Sequence, residues 1–103
     1  DYAIRLLQAT HPDHETSTEM VRQYVRFGAS PRAAQAMLLG AKVRALLDES
    51  DPRGHASKGD VAATCKAAMR HRIILNFEGE AEGVEPDRVL DDILERVPRE
   101  TAG

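Results

Sequence analysis

The chain has 103 residues, 42% of them hydrophobic and 30% charged, with 14 Lys and Arg against 17 Asp and Glu. These proportions describe one ordinary globular domain and exclude a disordered chain, while no apolar run reaches the roughly 18 residues a membrane span needs. A formal net charge of -3 argues against a dedicated nucleic-acid binder, whose footprint is basic.

The first helical stretch is Tyr2 to Ala9, with Ala3, Ile4, Leu6 and Leu7 at helical offsets and Thr10-His11-Pro12-Asp13 as its stop. A polar loop runs through Ser17. Thr16 with Glu19 predicts a capping box opening a second helix, with Met20, Val21, Tyr24 and Val25 as its apolar face and Gly28 as its C-terminal stop. Ser30-Pro31 predicts a third start, Ser as cap and Pro at the first helical position. The stretch from Arg32 to Leu47 is apolar almost all round and reads as the buried centre of a bundle, its alanines and Gly40 allowing close approach.

Asp48 to Ala56 reads as a solvated loop. Ser57 to Asp60 predicts a capping box for a fourth helix with Val61, Cys65, Ala68 and Met69 inward. Ile73 to Phe77 is β-branched enough to be extended, yet too short and isolated to build a sheet. Glu78 to Glu85 reads as an acidic connection. Pro86 opens the last helix, Val89, Leu90, Ile93, Leu94 and Val97 form its inner stripe, and Pro98 ends it. The expected fold is all-α, a small bundle of about five helices with a short extended segment at 73–77. Residues 1–98 form the domain and 99–103 a disordered tail. The opening at Asp1 on an immediate helix reads as a domain of a longer polypeptide.

Self-contained catalysis is not encoded. There is no Gly-rich phosphate loop and no acidic pair after an apolar strand to hold Mg²⁺. The single cysteine, Cys65, precludes an internal disulfide, fits a reducing cytoplasmic setting, and reads as a buried inert thiol. His11, Asp13 and His14 fall short of the four ligands of a structural Zn²⁺ site, and Asp48-Glu49-Ser50-Asp51 lacks the spacing of a Ca²⁺ loop, so no metal site is expected. Arg70-His71-Arg72 reads either as favourable charge at a helix C-terminus or as a basic interface for an acidic partner or a phosphate. Arg32 stands out: Ala29-Ser30-Pro31-Arg32 sets a guanidinium in a helix's first turn, where the dipole disfavours cations and open N–H groups favour an anion. The competing reading is a surface arginine paired with an acidic loop.

Tyr24-Val25-Arg26-Phe27-Gly28-Ala29-Ser30-Pro31-Arg32-Ala33 resembles the sensor-2 segment of the MoxR family of AAA+ ATPases. The Ala/Leu-rich helix after it, Arg70 to Phe77, Glu80 to Val84 and the early Leu6-Leu7-Gln8-Ala9-Thr10 are similar to the same family in the same order. Ser57-Lys58-Gly59-Asp60-Val61 departs from it, with Lys-Gly where the family often has Pro-Glu. The resemblance implies a C-terminal helical lid packed beside an α/β nucleotide-binding domain, with ATP and Mg²⁺ in the cleft and Arg32 reaching the phosphates. It also implies ring neighbours, chaperone-like or regulatory remodelling and von Willebrand factor A-domain partners. A reading from another class is a free-standing helical adaptor that recruits a basic protein through Glu78 to Glu85 and Asp87 to Glu95.

Overall fold

The computed structural model describes residues 2–47 and 57–99. In chain order these form α1 (Tyr2–Ala9), α2 (Glu19–Tyr24), β1 (Val25–Phe27), α3 (Pro31–Leu46), α4 (Lys58–Met69), β2 (Ile74–Leu75), α5 (Phe77–Ala81) and α6 (Pro86–Arg96). The expected small all-α domain is present, with six helices among the described residues and one two-stranded ribbon. The predicted loop at 48–56, its acidic run included, lies outside the described residues. So do 100–103 of the predicted tail, while the Arg99 carbonyl accepts a hydrogen bond from Arg5 Nη2 at 2.8 Å.

The core is aliphatic, centred on Leu6, Val21, Met37, Met69, Leu90 and Ile93, all fully enclosed. Burying each such side chain contributes about 1.5–3 kcal/mol. α3 and α4 pack most extensively, because α3 turns Ala33, Ala34, Met37, Ala41 and Ala45 inward and so lets α4 come close. The Thr64 hydroxyl of α4 donates to the Met37 carbonyl of α3 at 3.1 Å, tying the pair. The Ser57 capping box is formed in full: its hydroxyl accepts from Asp60 N–H, and the Asp60 carboxylate accepts from Ser57 N–H at 2.9 Å. Asp at the third helical position therefore serves this cap.

Five expectations need correction. The second helix is capped by Thr18, not Thr16, with Thr18 Oγ1 accepting from Val21 N–H at 3.2 Å. Thr16 is held elsewhere, its backbone N–H donating to His14 Nδ1 at 3.1 Å. The same helix stops at Tyr24, well before Gly28, because Val25–Phe27 finds a strand partner. Val25 pairs Leu75 and Phe27 pairs Ile74 in antiparallel register, with an irregularity around Arg26. The β-branched run at 73–77 is thus not isolated; its partner lies about fifty residues upstream. Glu78 to Glu85 is not only a connection, since Asn76 caps α5 through Gly79 N–H at 2.8 Å and its side-chain amide donates to Gln23 O at 2.7 Å.

The fifth concerns α3. It is not buried all round: Leu39, Leu46 and Leu47 are 66%, 68% and 73% exposed, and Val43 is exposed beside them. Small residues satisfy the inner face, which leaves the larger side chains on the opposite face with no layer of described residues over them.

Candidate functional site

The N-terminus of α3 is built by three local facts. Pro31 occupies the first helical position, where its locked φ and missing N–H cost nothing. Ser30 is the N-cap in extended conformation, and its carbonyl accepts from Ala33 N–H at 2.9 Å. Contrary to expectation, the Ser30 hydroxyl makes no capping bond. The start of this helix is instead held from outside, by the end of α1.

Ala29, fully buried, gives both of its backbone groups to α1's exit. Its N–H donates to Thr10 Oγ1 at 3.0 Å, and its carbonyl accepts from His11 Nε2 at 2.7 Å. Thr10 is fixed in turn, its hydroxyl donating to the Leu7 carbonyl at 2.6 Å. Gly28 lies so close to this turn that a Cβ there would stand 2.6 Å from the Thr10 carbonyl oxygen. Sequence reasoning missed this role for Thr10, His11 and Gly28. It took the first two as a helix stop and Gly28 as another, and no local signal names a partner eighteen or nineteen residues away.

Arg32 follows on the first turn and is exposed. Its guanidinium makes no hydrogen bond or ion pair with the described residues, so the competing surface-pair reading finds no partner among them. The first turn of α3 carries no acidic residue either, which leaves a free cation beside the positive end of the helix dipole. Ala29, Ser30, Pro31 and Arg32 therefore form one continuous, externally anchored turn.

No contact among the described residues brings the basic triplet to this turn. Arg70 Nε pairs with Asp87 Oδ1 at 3.0 Å, Arg72 donates to the Ala68 carbonyl at the end of α4, and His71 is exposed. Arg72 is engaged at the end of α4, while Arg70 pairs across to α6. Pairing also reduces the acidic side, where Lys66 meets Asp91 at 2.7 Å and Arg96 meets Asp92 at 2.8 Å. His11 and His14 are engaged in loop bonds, and no group of three or more His, Cys, Asp or Glu is placed for a metal among the described residues. A groove of about 620 Å³ runs along α3 and α4 between Val43, Leu47 and Asp60, away from Arg32.

Cys65 is fully enclosed, and burial pushes its thiol up to about 12 against the lowering effect of nearby Lys66. Its alkylation by iodoacetamide at pH 8 is expected on the order of 10³-fold slower in the folded protein than in denaturant, because the thiolate is the nucleophile. Equal rates measured by mass spectrometry would contradict an enclosed thiol.

The AAA lid domain family matches residues 17–93. The chain belongs to that family. The lid is 30% identical over 97 residues to Chaperone MoxR1 of Mycobacterium tuberculosis, covering 94% of this chain and 25% of that one. A crystal structure of a candidate ATPase from Cytophaga hutchinsonii is similar with a TM-score of 0.84 at 34% identity, over 94% of this chain and 28% of the other. The MoxR-type lid resemblance read from the sequence is borne out. The lid spans about a quarter of the length of these relatives. No helix among the described residues is long and apolar enough to cross a membrane.

Proposed function

We propose that this lid serves a longer MoxR-type AAA+ ATPase, closing over ATP held by an α/β domain. The observation that carries the reading is Arg32: an exposed guanidinium, unpaired among the described residues, at the positive end of α3, in a chain of the AAA lid family. Its planar donor fork and the helix dipole both favour an anion, and no acid in the first turn opposes one. The residues present fit a nucleotide phosphate.

ATP supplies the terminal phosphoryl group, on which charge develops during transfer, and positioned cations stabilise that charge. Arg32 contacts that phosphate in the sensor-2 role, with Ala29, Ser30 and Pro31 forming the turn that presents it. Mg²⁺ binds outside this chain. When the terminal phosphate leaves, the lid loses its tether, so nucleotide state is coupled to lid position. That movement drives chaperone-like or regulatory remodelling of partner proteins in the cytoplasm, in keeping with the chaperone name of MoxR1.

The remaining partners are the parent's own core domain, neighbouring subunits of a ring and proteins with von Willebrand factor A domains. Two exposed apolar strips offer surfaces for domain and subunit contacts: Leu39, Val43, Leu46 and Leu47 on α3, and Phe27, Ile74 and Phe77 around the ribbon.

The test uses the parent gene and its product. A phosphate loop is expected within roughly 200 residues upstream, the size of such a domain. The full-length protein then hydrolyses ATP, and the 103-residue chain releases no phosphate above background. Turnover by the chain alone overturns the reading, and the lack of a phosphate loop upstream overturns it in favour of the adaptor.

A further inference from the structure

We propose that Thr10 and His11 are positioning residues for Arg32, forming a clamp through which α1 sets where the guanidinium stands. This rests on the phosphate-sensing reading of Arg32. The clamp itself is read from geometry: Thr10 Oγ1 takes the Ala29 N–H at 3.0 Å, and His11 Nε2 donates to the Ala29 carbonyl at 2.7 Å.

Three features make the clamp rigid toward Arg32. The Thr10 hydroxyl proton is committed to the Leu7 carbonyl at 2.6 Å, which turns its lone pairs toward Ala29 and fixes the rotamer. Between Ala29 and Arg32 there is no soft joint, because Pro31 locks its own φ and restricts Ser30 before it to the extended conformation it adopts. The Ser30 carbonyl already accepts Ala33 N–H, so cap and first turn move as one piece. Since Ser30's own hydroxyl does not cap, the two bonds from α1 do the holding that a local cap otherwise does.

α1 and the sensing turn are thereby one mechanical unit. A movement of α1 displaces Arg32 by a similar amount. A phosphate contact on Arg32 pulls in turn on α1 rather than being absorbed in the loop.

The test is made in the full-length ATPase with Thr10→Val, His11→Leu and the conservative Thr10→Ser. The first two are also combined with Arg32→Ala. Val keeps the shape of Thr but offers no lone pair, and Leu cannot donate. Turnover should fall roughly tenfold in Thr10→Val and His11→Leu, less than the about 10²-fold that a full 1 Å misplacement can cost. Thr10→Ser should retain most of the activity. In the Arg32→Ala background neither clamp variant should lower turnover further, since a positioning residue has nothing left to position.

The second readout is amide hydrogen exchange of the 28–33 segment without nucleotide, expected to speed by roughly tenfold or more in both clamp variants. Should Thr10→Val fail to fold, His11→Leu at a partly exposed site carries the test alone. Losses that add to that of Arg32→Ala, or parental turnover in both clamp variants beside an impaired Arg32→Ala, overturn the positioning role only. Parental turnover in Arg32→Ala overturns the sensing reading, and this proposal with it.

Discussion

Replacing Arg32 by alanine is expected to lower ATP turnover of the full-length protein on the order of 10²-fold, as loss of one preorganised charge-stabilising donor does. The lid should stay folded. Arg32 is exposed and unpaired among the described residues, so its removal forfeits no internal contact there and shifts the melting temperature by less than about 3 °C. The dipole even favours the change slightly, since a cation sits beside the positive end of α3. Arg32→Lys separates charge from geometry: an ammonium keeps the charge but not the planar fork, and should recover only part of the rate. Steady-state phosphate release and a thermal melt on the same preparations decide the matter. Unchanged turnover in a folded Arg32→Ala enzyme would sink the assignment.

Legibility of the sequence followed the range of the interactions. The Ser57–Asp60 cap, the Pro31 start and the Val89–Ile93 stripe rest on neighbours within a turn or two, and each could be read directly. The ribbon could not. Val25–Phe27 looks like the last turn of a helix until Ile74–Leu75 is beside it, and pairing overrides the local pattern there. α3 misled for a different reason: a helix rich in both alanine and leucine has two candidate inner faces, and composition cannot choose between them. The structure chooses the alanines and leaves the leucines outward. At the candidate site Arg32 was visible as a cation in an unfavourable place. Its supports were not, because Thr10 and His11 reach Ala29 through hydrogen bonds that span nineteen and eighteen residues, respectively.

Gly28 gives that long-range arrangement its largest stability consequence. A Cβ at this position would stand 2.6 and 2.7 Å from the Thr10 carbonyl oxygen and carbon, and 2.7 Å from its Oγ1. Two of those atoms are backbone, so no rotamer change relieves the contact. Gly28 is not among the described residues with positive φ, so the conflict is one of space and not of conformation. To admit the methyl group, the 28–30 loop must draw away from α1 by most of an ångström, and the Ala29–Thr10 bond at 3.0 Å is in the way of that shift. Overpacking of this kind costs about 1–3 kcal/mol, and the upper end applies because both neighbours are rigid. Gly28→Ala should therefore lower the melting temperature by roughly 8–20 °C. It should also impair the full-length ATPase, since the displaced loop is the one that carries Arg32. A melt shifted by less than about 3 °C would mean that the loop yields freely, in which case α1 does not set the position of Arg32 and the clamp has no stiffness to transmit.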